Sequence, residues 1–303
     1  MDQEALQKPQ EAAGGRQGAG MTRRGVLIVL VLALAGWSAW LVLTWLNWGA
    51  ASHDHVEIKL ERIQPGRADL LRECGSFSGV RVFLVLGQSN AANHGEPRGV
   101  SLHGQVWSNG HCYALADPLP GGTGAGGSVW PRLADTWFAR TGERSLFILL
   151  GVDATSVVDW VSNAGLAGRL DELLAQLQSY GLKPDAVLWQ QGEADARRGA
   201  ETEDYEERLA ALIARWRAGG VSSPVFLARS TQCRSAPYQP VRMAIARLAD
   251  VHQGVFVGAD ADTIPAGGRH DGCHFNAAGL EQAAAAWVEA LLEAGALSSL
   301  ASP

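Results

Sequence analysis

The chain has 303 residues, of which 47% are apolar, and a formal net charge of −6. That length allows one large domain with accessories, and the apolar share suffices for a full core plus a membrane segment. A negative balance with no long basic run argues against nucleic acid as a partner.

Residues 1–24 are polar and glycine-rich and read as a disordered cytoplasmic tail. From Gly25 to Leu46 there is no charged residue. As a helix this stretch spans about 33 Å at roughly 1.5 Å per residue, enough to cross a bilayer. Trp45 and Trp48 fit an interfacial aromatic belt. Arg23 and Arg24 precede the run, and Asp54 and Glu57 follow it. The positive-inside rule then puts the N-terminus in the cytoplasm and everything after Trp48 outside, periplasmic or extracellular. A cleaved signal peptide is the alternative. The apolar run is longer than a usual signal core, and Gly49-Ala50-Ala51 is only a fair cleavage site, so 25–48 is read as an uncleaved transmembrane anchor. Residues 49–79 read as an extracytoplasmic spacer containing Pro65 and Gly66, although Val56-Glu-Ile-Lys-Leu60 alternates like a short strand.

Cys74, Cys112, Cys233 and Cys273 all fall on the outer side. An even count in an oxidising compartment implies two disulfides, for which sequence permits three pairings. Cys74–Cys112 with Cys233–Cys273 is preferred, because the second bond would brace the loop that carries His274.

The outer domain, 80–298, alternates strand and helix signals. Apolar runs at 81–86, 146–151, 186–190, 225–229 and 255–258 suit strands. Between them, 166–180 places Leu166, Leu170, Leu173, Leu174 and Leu177 on one helical face, and Gly181 stops it. Residues 201–218 do the same with Tyr205, Leu209, Leu212, Ile213 and Trp216, with acidic residues in the first turn and arginines in the last. Further helices begin near Pro240 and after Asn276, the latter running over about 277–294. Strands alternating with helices predict a parallel sheet covered on both faces, a three-layer α/β/α sandwich.

The chemistry-bearing residues cluster where strands would end. Val82-Phe-Leu-Val-Leu86 runs into Gly87-Gln88-Ser89-Asn90, which presents Ser89 at the end where open α/β sheets bind ligands. Position 91 is Ala, so the Gly-x-Ser-x-Gly elbow of α/β-hydrolases is not indicated. Trp189-Gln190-Gln191-Gly192-Glu193-Ala194-Asp195 follows a second buried strand, and a glutamine amide there can donate to a developing oxyanion. Asp271 precedes His274 by three residues, close enough to fix its tautomer. Gly121-Gly-Thr-Gly-Ala-Gly-Gly-Ser128 lacks the Lys-Ser/Thr of a phosphate loop and could instead offer a backbone N–H to an oxyanion. His270, Cys273 and His274 are close in sequence, as are His111 and Cys112, but no standard zinc spacing results, so no metal and no cofactor is expected. Trp107, Trp130 and Trp160 are candidates for stacking on a sugar ring or for the core.

Taken together, Gly-Gln-Ser-Asn, Trp-x-Gln-Gly-Glu-x-Asp and Asp-x-x-His, in that order, resemble the SGNH-hydrolase superfamily, in its sialate O-acetylesterase-like, acetylxylan-esterase-related branch. Thr155-Ser156-Val-Val-Asp159-Trp160 resembles that branch's Gly-Gly-Thr-Ser-Ile-x-x-Trp segment, with Val-Asp-Ala before it in place of small residues. The resemblance runs from about 80 to 295 and implies a flavodoxin-like sandwich without a metal. It also implies Ser89 as nucleophile, His274 as general base and Asp271 as its orienting partner. Ser89 N–H, a glycine of 121–127 (Gly127 is chosen) and the Gln191 side chain would form the oxyanion hole, with Gln88 and Glu193 shaping the site. The expected function is a membrane-anchored carbohydrate O-acetylesterase acting on acetylated sugars. The alternatives are an O-acetyltransferase of an envelope polysaccharide and a non-catalytic glycan-binding module.

Overall fold

The computed structural model describes residues 57–75 and 77–297. The tail and anchor expected over 1–48 lie outside the described residues. Among the described residues, no helix is long and apolar enough to cross a membrane.

Eight strands form one sheet: β1 (Leu71–Arg72), β2 (Val80–Gly87), β3 (Val100–Ser108), β4 (His111–Ala116), β5 (Arg144–Gly151), β6 (Ala186–Gln190), β7 (Val225–Arg229) and β8 (Val255–Asp260). Their order is β1-β4-β3-β5-β2-β6-β7-β8. β3, β5, β2, β6, β7 and β8 run parallel, while β4 and β1 close one edge antiparallel. Seven helices accompany the sheet among the described residues: α1 (Trp130–Thr141), α2 (Val157–Ser162), α3 (Ala164–Ser179), α4 (Glu193–Arg198), α5 (Thr202–Ala218), α6 (Gln239–Leu248) and α7 (Ala277–Glu293).

The three layers follow from the alternation of β2. Val82, Leu84 and Leu86 join one core, and Phe83 and Val85 join the other, because successive side chains leave a strand on opposite faces. The first core is covered by Leu166, Leu170 and Leu174 of α3 and by Leu209, Leu212 and Trp216 of α5. The second is covered by Trp130, Leu133 and Trp137 of α1 and by Leu280, Ala283 and Trp287 of α7. Each fully buried aliphatic side chain in these layers stabilises the fold by roughly 1.5–3 kcal/mol. Trp107, Trp130 and Trp160 are all in the core, at 2%, 0% and 0% exposure, so none is available to a sugar.

The five parallel strands and four long helices expected from sequence are present. Asn276 caps α7 through its side chain, which accepts from Gly279 N–H at 3.2 Å. The antiparallel hairpin β3–β4 is an addition. Its two-residue loop is Asn109-Gly110, both with positive φ (50° and 82°), the geometry that matches strand twist in a tight hairpin. Part of the segment read as a spacer is built into the domain. Residues 57–59 form no strand, Leu60–Arg62 is a single 3-10 turn, and Ile58, Leu60, Ile63 and Phe77 pack on the first core. Gln64 exchanges backbone hydrogen bonds with Gly121 and Gly122 at 3.0 and 2.9 Å.

Both disulfides form in the preferred pairing, Cys74–Cys112 and Cys233–Cys273. They close stretches of 38 and 40 residues. Loops of that length make each bond worth about 4 kcal/mol in the chain-entropy account.

Candidate active site

Every functional candidate sits at the C-terminal end of the parallel strands. Gly87, the last residue of β2, pairs with Gly151 of β5 on one side and Gln190 of β6 on the other. The loops after these three strands therefore leave the sheet side by side, where strand order reverses across β2. Gly87 has φ +147°, and a Cβ there would lie 2.1 Å from the Gln190 carbonyl oxygen, so only glycine fits this exit. The chain then turns at once, with Ser89–Ala91 forming a single 3-10 turn. Ser89 is buried at 4% exposure, and its backbone N–H has no acceptor among the described residues.

His274 arrives from the loop between β8 and α7. Its Nδ1 is 2.9 Å from Asp271 Oδ2. Asp271 Oδ1 accepts the backbone N–H groups of Cys273 at 2.9 Å and His274 at 2.7 Å. Burial would push the Asp271 carboxyl up. The three hydrogen bonds from His274 and Cys273 outweigh it and hold the carboxyl well below the usual range. An ionised Asp271 fixes the proton on Nδ1 and leaves Nε2 as the basic nitrogen. Ser89 and His274 line one pocket of about 260 Å3, together with Gln88.

The pocket is also lined by His94, Arg197 and Arg234, which sequence does not single out, and by Asp153 and Ala154 of the segment that leads into Thr155-Ser156. The His94 ring stacks on His274 with centroids 5.2 Å apart, and its Nε2 lies 3.2 Å from Thr123 Oγ1. Burial, then the neighbouring His274, lowers its pKa to about 4, so His94 is neutral at physiological pH and adds no charge beside His274. His270 stacks on His274 as well, at 5.9 Å. Ala154 has φ 61°, in the left-handed region, and its N–H has no acceptor among the described residues. It occupies a position where the resembling segment carries glycine.

The other motif residues lie beneath the pocket. Gln88 Oε1 accepts from Ala194 N–H at 3.1 Å and Gln191 Nε2 at 3.2 Å, which couples the serine turn to α4. Gln191 is fully buried, and its amide nitrogen is committed to Gln88, to the Thr155 carbonyl at 3.0 Å and to Asp195. It does not line the pocket. Gly127 is also elsewhere. Its N–H donates to the Gly95 carbonyl at 2.6 Å, which pins the glycine loop to the chain after Ser89 and removes that N–H from any oxyanion. Asp195 accepts from Val157 N–H at the start of α2, and burial raises its pKa to about 6.

Glu193 is the node of this layer. Its Oε1 accepts Asn90 Nδ2 at 2.6 Å and Ser230 Oγ at 2.7 Å, and Asn90 also reaches the Cys273 carbonyl at 3.3 Å. One carboxyl thus joins the ends of β2, β6 and β7 to the His274 loop. Glu193 Oε2 and Asn90 Oδ1 are both buried without a partner. Burial raises the Glu193 pKa to about 7, against the hydrogen bonds from Asn90 and Ser230. The folded state therefore holds a proton that the unfolded chain releases above about 4.5. Stability from this group is complete below that value and is lost as pH rises through about 7, a total of about 3 kcal/mol. Glu193→Gln keeps the acceptor and replaces the proton with N–H groups. The variant is expected to match wild type near pH 4 and to exceed it by up to about 3 kcal/mol at pH 8. Urea unfolding of both proteins at the two pH values checks this, and an equal difference at both would refute it.

His270, Asp271 and His274 bring three potential metal-ligand atoms within 4.8 Å of one another. These residues also make protein contacts, His270 Nε2 with the His94 carbonyl oxygen at 3.0 Å and His274 Nδ1 with Asp271 Oδ2 at 2.9 Å. All four cysteines are in disulfides and offer no thiolate.

A crystal structure of a protein from Arabidopsis thaliana is similar to this chain with a TM-score of 0.59 at 20% identity, covering 71% of this chain and 98% of that one. A carbohydrate acetylesterase from Xanthomonas citri aligns with a TM-score of 0.49 at 18% identity, over 71% of this chain and 56% of that one. An acetylxylan esterase from Geobacillus stearothermophilus aligns with a TM-score of 0.46 at 17% identity, over 76% of this chain and 100% of that one. No curated protein matches the sequence. The family model described as carbohydrate esterase, sialic acid-specific acetylesterase matches residues 135–293, a span that holds the Gln191–Glu193 motif and the His274 loop. That span is just over half of the 303 residues, and the chain belongs to this family of carbohydrate esterases, which makes it a carboxylic-ester hydrolase of the SGNH type.

Proposed function

We propose that the protein is a membrane-anchored, outward-facing carbohydrate O-acetylesterase that works through an acetyl-enzyme on Ser89. The observation that carries the reading is one pocket lined by both Ser89 and a His274 whose Nδ1 is held by Asp271. Ser89 Oγ attacks the acetyl carbonyl carbon, and its proton passes to His274 Nε2. The oxyanion is received by the N–H groups of Ser89 and Ala154, two pocket-lining backbone donors without an acceptor among the described residues. The sugar–oxygen bond to the carbonyl carbon then breaks, and His274 returns the proton to the departing sugar hydroxyl. Water repeats the sequence on the acetyl-enzyme and releases acetate. Gln191, with its amide committed internally, holds the serine turn against α4. Two disulfides support an oxidising location, and the uncharged run Gly25 to Leu46 supports the anchor.

The test is a quenched reaction of the purified chain with p-nitrophenyl acetate and with O-acetylated sugars, including O-acetylated sialic acid. Free acetate together with an acetyl group on the peptide carrying Ser89 is the expected result. Acetate release with no acetyl on that peptide would remove the acyl-enzyme. Acetyl appearing on an added glycan instead of as acetate would make the protein a transferase.

A further inference from the structure

Two arginines reach the pocket from different elements, Arg197 from α4 and Arg234 from the loop after β7. Their neighbours show what an arginine with a structural role looks like here. Arg198 is bound to Asp159 at 2.9 Å, and Arg242 is bound to Asp260 and Asp262 at 2.8 Å. Arg197 has neither an ion pair nor a side-chain hydrogen bond among the described residues. Arg234 touches the site only lightly. Its Nε donates to the Asp271 carbonyl at 3.1 Å, and its Nη2 stands 3.6 Å from Asp271 Oδ2, with 71% of the side chain exposed.

The backbone under Arg234 is held in place. Its φ is 59°, a left-handed conformation that is costly for a residue with a Cβ. Its N–H is bound to the Gly272 carbonyl at 2.7 Å, and the preceding residue is disulfide-bonded to Cys273. Of the three non-glycine residues with positive φ in the described chain, two, Ala154 and Arg234, line this pocket. Such conformations persist where the surroundings enforce them, and they concentrate at ligand sites. The negative side chain on the pocket wall, Asp153, has Arg62 at 3.8 Å. With Asp153 beside Arg62 and Asp271 beside Arg234, the Arg197 guanidinium is the uncompensated charge on this wall, and Arg234 adds N–H donors next to it.

We infer that Arg197 and Arg234 read an anionic group, a carboxylate or a phosphate, on the sugar whose acetyl ester enters the pocket. The inference rests on the esterase reading of the same site. A guanidinium carries only donors, in a planar fork. Sugar hydroxyls both donate and accept, so a donor-only wall discriminates weakly among neutral sugars. It favours a group that only accepts, and a forked one most of all.

The experiment compares matched esters: O-acetylated glucuronate against O-acetylated glucose, and O-acetylated N-acetylneuraminate against its carboxamide. O-acetylated glucose 6-phosphate serves as the phosphate arm. The anionic member is expected to be preferred by about 10- to 100-fold in kcat/KM, mainly through KM, on at least one scaffold. The preference is expected to shrink at high salt, because both arginines are solvent-accessible. Arg197→Gln and the double variant with Arg234→Gln are expected to bring the ratio toward one. Using the ratio cancels any effect of Arg234 on Asp271. A preference for the glucose 6-phosphate ester over the glucuronate ester identifies phosphate as the group read, and the reverse identifies carboxylate. Equal turnover of charged and neutral esters on both scaffolds would overturn the inference and leave the esterase standing. If no ester is hydrolysed, the esterase reading fails. Calorimetric titration of glucuronate, N-acetylneuraminate and glucose into the full chain then decides this inference separately. Arginine-dependent binding of an anionic sugar sustains it, and no preference over glucose ends it.

Discussion

Replacing Ser89 by alanine is expected to lower kcat for acetyl-ester hydrolysis by about 10^4- to 10^6-fold while leaving the fold intact. The change removes one oxygen from a side chain that makes no hydrogen bond in the structure, so the stability cost is expected to stay below about 1 kcal/mol. The chemistry depends on that oxygen. Without it the acetyl group has no covalent acceptor, and His274 has no proton to take. The N–H groups of Ser89 and Ala154 remain, because both belong to the backbone. They should leave residual turnover above the rate in water, on the order of 10^3-fold. Acetate release by wild type and variant, with urea unfolding of both, separates a chemical loss from a structural one. A variant that stays folded and hydrolyses acetyl esters within tenfold of wild type would take Ser89 out of the mechanism.

The strands that carry the site were readable because they are buried on both faces. Val82-Phe-Leu-Val-Leu86 has to be apolar throughout, since alternate residues enter two cores. The motifs were readable for a related reason. Gly87, Ser89, Gln191, Glu193 and His274 lie within a few residues of a strand end or a helix start. The β3–β4 hairpin was missed although Asn109-Gly110 between apolar stretches is its local signal. Arg197 and Arg234 had no local signal, and Ala154 had only its place before Thr155-Ser156 in a motif segment. Ala154, Arg197 and Arg234 meet Ser89 only because β5, β6 and β7 are arranged around β2 in the sheet. His94 lies five residues beyond Ser89, but what makes it part of the site is His274, 180 residues further on and stacked against it. Gly127 shows the limit most clearly. Nothing in a run of glycines tells which N–H is already committed, and here the Gly95 carbonyl takes that of Gly127.

Asp271→Asn is expected to lower kcat by about 10^3- to 10^4-fold with little change in the shape of the pocket. The carboxylate accepts three N–H groups at once, two from the backbone on Oδ1 and His274 Nδ1 on Oδ2. Asparagine has one accepting oxygen. If that oxygen stays with the backbone donors, the NH2 group faces Nδ1 and forces it to accept. The ring proton then moves to Nε2, and the nitrogen that should take the Ser89 proton is already occupied. If the amide flips, its NH2 group meets two backbone N–H donors, which is worse. A pH series separates this tautomer effect from loss of structure. The folded-state pKa of Asp271 is depressed, so its stabilising charge is present above the ordinary aspartate value of about 4 and is lost only as pH falls through the depressed one. The stability gap between wild type and Asp271→Asn should therefore be constant from pH 8 to pH 5 and narrow below about pH 4. The kcat deficit should persist across the upper range, since the misplaced proton does not depend on it. A deficit of less than tenfold would mean that something other than Asp271 orients His274, and the stack with His94 and His270 would be the next place to look.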